Sequence, residues 1–204
     1  MTQVVQPSKI VCIGRNYADH AKELGNEAPP EPIIFLKPPS AVLDPEGTIV
    51  RPAVSQRVDH EAELAIVIGK EAKNVKAADW RDYVRGFACA NDVTARDLQK
   101  KDVQFTRGKG FDTFCPIGPC IETDLDVSNL RIRARVNGET RQDGSTSQMI
   151  FSPAFLVEFI TSIMTLMPGD VILTGTPAGV GPLNAGDIVE VEIEGIGVLK
   201  NVVA

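Results

Sequence analysis

The amino-acid sequence predicts an α+β fold, and three features of the chain indicate it. Short apolar runs rich in β-branched residues recur along its 204 residues, often next to glycine or proline. Residues 130–136 alternate strictly between apolar and polar side chains, and Asn137-Gly138 is a typical tight hairpin turn. Few segments are helical in pattern, and no repeat or linker divides the chain. We therefore predict a compact α+β roll, one domain over residues 1–204, and not a doubly wound sheet.

Composition and charge exclude several classes of protein. A hydrophobic fraction of 43% and a charged fraction of 24% are ordinary for a globular domain with a substantial core. No apolar run is long enough to cross a bilayer, so we expect no membrane partner. The net charge of −6 and the lack of a long basic run argue against nucleic-acid binding. Local lysines and arginines still allow a small anionic substrate.

The N-terminal sequence and the cysteines predict a cytoplasmic protein. Residues 1–9 have neither a signal-peptide nor a transit-peptide pattern. The four cysteines form no Cys-x-x-Cys pair, and Cys12 and Cys89 lie inside apolar runs, so we expect reduced, structural thiols. With two histidines in the chain, a His-rich zinc site is not expected.

The first half of the chain is predicted to begin with a strand over residues 9–13 and a short helix over residues 18–24. Asn16 is placed to cap this helix and Gly25 to end it. Three prolines within residues 26–32 exclude regular structure, and we expect a mobile flap there. Further strands are predicted over residues 33–36, 48–51 and 58–69.

The second half is predicted to contain two longer helices and several strands. Residues 75–85 have a helical pattern, and Ser152-Pro153 can cap and open a helix that runs to about Met167. Thr94 to Asp97 has capping-box spacing, so a helix is expected to start there, whereas residues 105–114 look irregular. The predicted strands are residues 86–93, 115–122, 171–174, 188–193 and 198–202, the last two as a closing hairpin.

The strand at residues 58–69 carries the sharpest functional signal. Side chains alternate along a strand, so Glu61 and Glu63 point to one face, which continues with Ala65 and Val67. Beyond Glu63 the strand is apolar on both faces, which predicts burial on both. Two carboxylates therefore lie where the strand enters the interior, and no lysine or arginine occurs within the stretch.

Such carboxylates need a positive partner if they are buried. Residues two apart on a strand are separated by roughly 7 Å, where two charges repel by roughly 2 kcal/mol at an effective dielectric of about 20. A divalent cation would offset this repulsion, and Asp92, at the end of another predicted strand, completes a set of three carboxylates suited to Mg²⁺ or Mn²⁺. Taken singly, a solvated strand end and a helix-entry aspartate remain alternatives.

Three further groups have the chemistry to act on a substrate. His20 and Glu23 are three apart on a predicted helix, so the carboxylate can orient the imidazole as a base. Lys109 lies between two glycines, which allow close approach to a ligand. The loop at residues 175–182 fits no dinucleotide or Walker A pattern, but its N–H groups and Thr176 can bind a carboxylate. A surface ion pair, a solvated lysine and a plain turn are the respective alternatives.

Together these motifs resemble the fumarylacetoacetate hydrolase family. The resemblance rests on residues 14–20 (GRNYADH), 60–63 (HEAE), 91–97 (NDVTARD) and 173–181 (LTGTPAGVG), and it runs from about residue 9 to the C-terminus. It implies a mixed β-sandwich roll with a few short helices, usually a homodimer. With 204 residues, we expect the chain to lack the separate N-terminal β domain of fumarylacetoacetate hydrolase itself.

The resemblance also implies residue roles. Glu61, Glu63 and Asp92 would bind Mg²⁺ or Mn²⁺, and His20 with Glu23 would activate water on a segment that orders over substrate. Lys109 would polarise the oxygens of the substrate. The implied substrate or supporting residues are Arg15, Arg96, Gln99 and Thr176.

The implied substrates are small 2-oxo acids. The first expectation is a hydrolase of acylpyruvates or a decarboxylase of oxaloacetate, either of which leaves a pyruvate enolate. The alternative is a 2-hydroxyhepta-2,4-diene-1,7-dioate isomerase of aromatic catabolism, and a third reading is a non-catalytic module that binds metal only for stability. The intact His20–Glu23 pair and Lys109 weigh against the third, because a structural cation needs none of them.

Overall fold

The computed structural model describes residues 5–204. In this part of the chain, no helix is both long and apolar enough to span a bilayer. The α-helices are α1 (Ala18–Glu23), α2 (Arg96–Lys101), α3 (Thr106–Lys109) and α4 (Pro153–Ile163). Short 3-10 helices occupy Pro39–Ala41, Ala77–Tyr83 and Thr146–Gln148. The strands are β1 (Ile10–Gly14), β2 (Ile33–Lys37), β3 (Val42–Leu43), β4 (Thr48–Ile49), β5 (Val58–His60), β6 (Ala62–Ile68), β7 (Val84–Asn91), β8 (Thr94–Ala95), β9 (Cys115–Glu122), β10 (Arg131–Val136), β11 (Glu139–Ser145), β12 (Val171–Leu173), β13 (Gly181–Pro182), β14 (Ile188–Ile193) and β15 (Gly197–Val203).

The strands form mixed sheets, which confirms the α+β prediction. The largest sheet has the order β2-β1-β12-β6-β7-β9-β3, with parallel pairs β1–β12 and β3–β9 and antiparallel pairs elsewhere. A second sheet has the order β11-β10-β14-β15-β4, and β13, β5 and β8 form a small third one. The predicted hairpin at Asn137-Gly138 joins β10 to β11.

Strand β6 is buried on both faces, as predicted, because each face packs in a different core. Leu64, Ile66 and Ile68 contribute to a core shared with the second sheet and α4. Ala65 and Val67 belong to another core. Most members of that other core come from strands of the same large sheet, so the sheet curves around its own inner face.

This inner face leads directly to the predicted site. Glu63 continues the face of Ala65 and Val67 on β6, and Asp92 continues the face of Ala88 and Ala90 on β7. The predicted strand over residues 58–69 is interrupted at Glu61, where the chain passes from the third sheet to the large one. The interruption is stabilised because the Glu61 N–H donates to the Asn91 side chain and the Glu61 carbonyl accepts from Asp92 N.

Several predicted helices differ in extent from the observed ones. The segment predicted as a helix over residues 75–85 is a 3-10 helix that ends at Tyr83, since Val84 already pairs with β6. The capping box at Thr94 was wrong: Thr94 lies in β8 and its hydroxyl donates to the Asp92 carbonyl. Ser152 caps α4 as predicted, but the helix ends at Ile163. Residues 105–114 are not wholly irregular, since they contain α3.

Asn16 does not cap α1, contrary to the prediction, and instead ties three loops together. Its buried amide donates to the carbonyls of Thr174 (2.7 Å) and Phe151 (3.0 Å) and accepts from the Phe151 N–H (2.7 Å). These bonds hold the start of α1 against the loop that follows β12. The predicted cytoplasmic location rests in part on residues 1–4, which lie outside the described residues.

We predict that Asn16→Ala destabilises the protein by about 3 kcal/mol, because it leaves buried backbone groups without partners. Denaturant unfolding of the metal-free protein measures this. The control is Asn129→Ala, which removes an exposed bond to Ser145 and should cost less than about 0.5 kcal/mol. Equal losses in the two variants would contradict the assignment.

Candidate active site

Glu61, Glu63 and Asp92 come together at the open end of the rolled sheet. Each carboxylate contributes an oxygen to a group whose members all lie within 4.8 Å of one another. All three side chains are buried, with at most 4% of any residue exposed. The three carboxylates that the sequence placed at strand ends therefore form one compact cluster of oxygen donors.

Cations from distant parts of the chain neutralise two of these carboxylates. Lys37 Nζ donates to Asp92 Oδ1 at 2.6 Å, and Lys109 Nζ lies 2.7 Å from Asp92 Oδ2 and 2.8 Å from Glu61 Oε2. Arg96 donates to the other oxygen of Glu61. Burial alone would raise the pKa of Glu61, but Lys109 and Arg96 outweigh it and hold this pKa below its ordinary value.

Glu63 differs from its two neighbours. Among residues 5–204, the one hydrogen-bond donor to its carboxylate is the Gly175 N–H, at 2.6 Å. Burial raises the pKa of Glu63 well above its ordinary value, and the carboxylates of Asp92 and Glu61 raise it further. The cluster thus lacks positive charge at Glu63, and hard divalent ions such as Mg²⁺ or Mn²⁺ prefer such oxygen donors. The donor set fits such an ion.

The predicted acid–base pair lies in the same cavity. The His20 side chain is buried on α1, and its Nδ1 is 3.4 Å from Glu23 Oε2. Both oxygens of Glu23 accept from the Gly179 N–H at 3.1 Å, which ties the pair to the loop after β12. Burial lowers the pKa of His20 below its ordinary value, although Glu61 and Glu23 act in the opposite direction. The neutral form of the His20 imidazole is therefore favoured at pH 7.

Lys109 was predicted to contact the substrate, and in the structure its ammonium contacts the carboxylate cluster directly. Its ammonium is buried between Glu61 and Asp92 and 5.1 Å from the centre of the Phe35 ring. Burial alone would lower its pKa, but the two carboxylates raise it above the ordinary value, so it carries a full positive charge. A side chain at Gly108 would meet the Gln99 backbone at 2.9 Å, so this glycine lets α3 pack against α2.

Arg96 supports the site through its neighbours. Its Nε donates to Asp59 Oδ2 (2.9 Å) and its NH1 to Gln99 Oε1 (2.7 Å), in addition to its bond with Glu61. The side-chain oxygen of Gln99 accepts from Arg96, and Gln99 lines the cavity. Its side-chain NH₂ is therefore the group left to donate to a ligand there. Arg15 adopts a left-handed backbone (φ 58°), which is strained for a non-glycine residue and frequent at functional sites.

These groups surround one cavity of about 560 Å³. All ten predicted site residues line it. They are Arg15, His20, Glu23, Glu61, Glu63, Asp92, Arg96, Gln99, Lys109 and Thr176.

Comparison with known proteins identifies the family. The family described as fumarylacetoacetate (FAA) hydrolase C-terminal matches residues 9–204. The chain belongs to the fumarylacetoacetate hydrolase family. Human mitochondrial oxaloacetate tautomerase FAHD2A is 47% identical over 98% of this chain and 68% of its own length.

Solved structures of this family superpose closely. The 2-hydroxyhepta-2,4-diene-1,7-dioate isomerase of Mycobacterium marinum is 50% identical, with a TM-score of 0.92 over 98% of this chain and 75% of its own. The fumarylpyruvate hydrolase of Pseudomonas aeruginosa, in complex with Mn²⁺ and pyruvate, is 32% identical, with a TM-score of 0.93 over 100% and 92% of the two chains. The chain thus has relatives of isomerase, tautomerase and hydrolase type.

The sequence analysis missed three buried residues at this fumarylacetoacetate hydrolase-type site: Lys37, Asp59 and Gln142. A signal existed for Lys37, because it shares a strand face with Phe35, which packs in the inner core. Nothing in the local pattern distinguishes Gln142, since its neighbours on β11 are mostly exposed.

We predict that two isosteric substitutions in the cluster change the stability of the metal-free protein in opposite directions and both weaken Mn²⁺ binding. Glu63→Gln should stabilise the metal-free protein, because burying this carboxylate without a cation raises its pKa at a cost in folding free energy that an amide does not carry, and should weaken Mn²⁺ binding at least about 100-fold. Glu61→Gln should weaken Mn²⁺ binding too, but should destabilise the metal-free protein, because Arg96 and Lys109 lose their partner.

Calorimetric titration with Mn²⁺ and thermal unfolding in a chelator measure the two quantities separately. Unchanged Mn²⁺ affinity in both variants would show that the cluster is not the metal site.

Proposed function

We propose that the protein is a Mg²⁺- or Mn²⁺-dependent enzyme that acts on small anionic 2-oxo acids through their enolates. The observation that carries this proposal is the convergence of three buried carboxylates with the His20–Glu23 pair in one cavity. A metal held only for stability would need no neutral base beside it. The proposal is further supported by relatives that are named for reactions of 2-oxo and 2-hydroxydienoic acids.

An ion bound by Glu61, Glu63 and Asp92 would supply Lewis-acid polarisation of the carboxylate and 2-oxo oxygens of the substrate. The residues of the chain then have separate tasks. His20 is neutral and takes a proton, and Glu23 orients its ring. Lys109 adds a fixed positive charge that favours the enolate, and the amide of Gln99 can donate to a substrate oxygen.

The favoured reaction is proton transfer at the carbon next to the 2-oxo group. His20 removes a proton from this carbon, the electron pair moves to the 2-oxo oxygen, and a proton returns at another position. This converts a keto acid to its enol or shifts a double bond in a dienedioate. Relatives of about half identity with names of this type, the tautomerase and the isomerase, support it.

Cleavage of a carbon–carbon bond is the second candidate. His20 would deprotonate a water that attacks the distal carbonyl of an acylpyruvate, and the bond breaks to leave a pyruvate enolate. Oxaloacetate decarboxylation needs the same enolate and no water. The Mn²⁺- and pyruvate-containing hydrolase, which matches this chain over its whole length, supports this candidate.

Unpaired cations at the cavity favour an anionic substrate. Arg15 and Lys100 line it and take part in no ion pair among residues 5–204, and Arg57 shares Asp59 with Arg96. A substrate with a second carboxylate would place that group near these side chains. We therefore propose dicarboxylates of the oxaloacetate or dienedioate type.

The panel that tests this function combines oxaloacetate, acylpyruvates and 2-hydroxydienedioates with Mg²⁺ or Mn²⁺. Ultraviolet absorbance follows enol and diene, and a coupled assay follows pyruvate. Loss of enol or diene absorbance without pyruvate indicates isomerisation, whereas pyruvate release indicates cleavage. No turnover of any member would leave the non-catalytic metal module as the better proposal.

We predict that His20→Ala lowers turnover by about 10²–10⁴-fold and leaves Mn²⁺ binding intact, because His20 is a base and not a ligand. Oxaloacetate decarboxylation should suffer less than hydrolysis, since it needs no activated water. The control is Asp19→Ala, an exposed position on the same helix. A His20→Ala variant with near wild-type turnover would end the general-base assignment.

We also propose a cytoplasmic homodimer. The homodimer is supported by an exposed apolar face at α4, where Phe155 stacks with Phe159 and with Phe151, which lies just before the helix. Phe155 and Ile163 are 41% and 54% exposed. Light scattering should give twice the 22.0 kDa mass of one chain. The mass of a single chain at all working concentrations would count against it.

A further inference from the structure

Gln142 is a buried amide with four hydrogen bonds, one of them to Thr176 in the candidate site and the others to residues next to it. It is 0% exposed, although most of β11 faces solvent. Its Oε1 accepts from Ala62 N (2.9 Å) and lies 3.1 Å from His60 Nδ1. Its Nε2 donates to Thr176 Oγ1 and to the Pro177 carbonyl, both at 2.7 Å. A buried amide is stable only when satisfied in this way.

The orientation of this amide follows from the backbone groups at its two ends. Ala62 N–H can only donate, so it fixes the position of Oε1, and the Pro177 carbonyl can only accept, so it fixes Nε2. The two ends cannot be exchanged without breaking both bonds. Gln142 is therefore a donor to Thr176, and His60 Nδ1 must donate to Gln142.

This leaves the hydrogen of the Thr176 hydroxyl for an acceptor other than Gln142. A hydroxyl has one hydrogen, and because Thr176 Oγ1 accepts from Gln142, its own hydrogen is available to another acceptor. Thr176 lines the cavity beside Glu61, Glu63 and Asp92. Its hydrogen is therefore available to an oxygen bound in the cavity.

We propose that Gln142 is a positioning residue that sets Thr176 as a hydrogen-bond donor to a carboxylate or 2-oxo oxygen of the substrate. The identity of this ligand as a 2-oxo acid rests on the proposed function. Gln142 acts through Thr176 and touches no reacting atom. By the same bonds it ties β11 of the second sheet to Ala62, between Glu61 and Glu63, and to the loop after β12.

The test measures the binding of oxalate, a planar dianion that resembles the pyruvate enolate, to the Mn²⁺-loaded protein by calorimetry. Gln142→Met and Thr176→Val should each weaken oxalate about tenfold or more, as expected for a lost hydrogen bond to a charged group. The double variant should bind oxalate no more weakly than Thr176→Val alone, because Gln142 acts through Thr176. The control is Gln6→Met, an exposed glutamine outside the cavity, which should match wild type.

Gln142→Glu provides an independent variant of the same shape. An ionised carboxylate there accepts the hydrogen of the Thr176 hydroxyl, which then presents only lone pairs to the ligand. Oxalate should bind more weakly than in Gln142→Met. The Kd for Mn²⁺ should stay within about twofold in Gln142→Met, whereas a purely structural role near Ala62 would change it together with the oxalate affinity.

Unchanged oxalate affinity in Gln142→Met, or a loss that adds in full to that of Thr176→Val, would overturn the inference. Absence of oxalate binding to wild type would overturn it too. The proposed function can fail separately. If the protein turns over no 2-oxo acid but the variants show the predicted pattern of oxalate affinities, the reaction is rejected and the role of Gln142 stands. If 2-oxo acids are turned over but the predicted pattern of oxalate affinities is absent, the reaction stands and the role of Gln142 is rejected.

Discussion

Burial of three carboxylates at the end of the rolled sheet is the constraint on which the rest of the site depends. Like charges this close repel strongly in a low-dielectric interior, so the fold must bring positive charge to them. It does so from β2, α2 and α3, through Lys37, Arg96 and Lys109. The segment between β7 and β9, which carries both helices, therefore packs over this end of the sheet.

The compensation is uneven, and this unevenness distinguishes the cluster from an ordinary buried salt-bridge network. Glu61 and Asp92 have cationic partners, whereas Glu63 receives only a backbone N–H among the described residues. Glu63 and the histidine, whose pKa burial lowers, line the same cavity. A site of this kind suits a divalent ion with a base beside it, which is the combination that the proposed enolate chemistry requires.

Two buried amides connect this chemistry to the surrounding architecture. Asn16 fastens the start of α1 to the loop after β12, and Gln142 fastens the same loop to β6 and to the second sheet. Glu23 adds a third tie to Gly179. The His20 helix, the carboxylate cluster and Thr176 therefore keep a common geometry although they come from distant parts of the chain.

The sequence by itself determined the α+β class and the Asn137-Gly138 hairpin, because these follow from alternation and local turn chemistry, and the resemblance of its motifs to a family implied that Glu61, Glu63 and Asp92 converge. Only the tertiary structure decided which cations serve the carboxylates: Lys37 lies 55 residues from Asp92 and Arg96 lies 35 from Glu61. It also decided that Asn16 bonds to distant loops and that the Thr94 hydroxyl donates to the nearby Asp92 carbonyl, so that neither side chain caps a helix. Local propensity and strand period describe residues that are neighbours along the chain. The partners of buried charged groups such as these are set by proximity in the folded interior, so the local pattern cannot predict them.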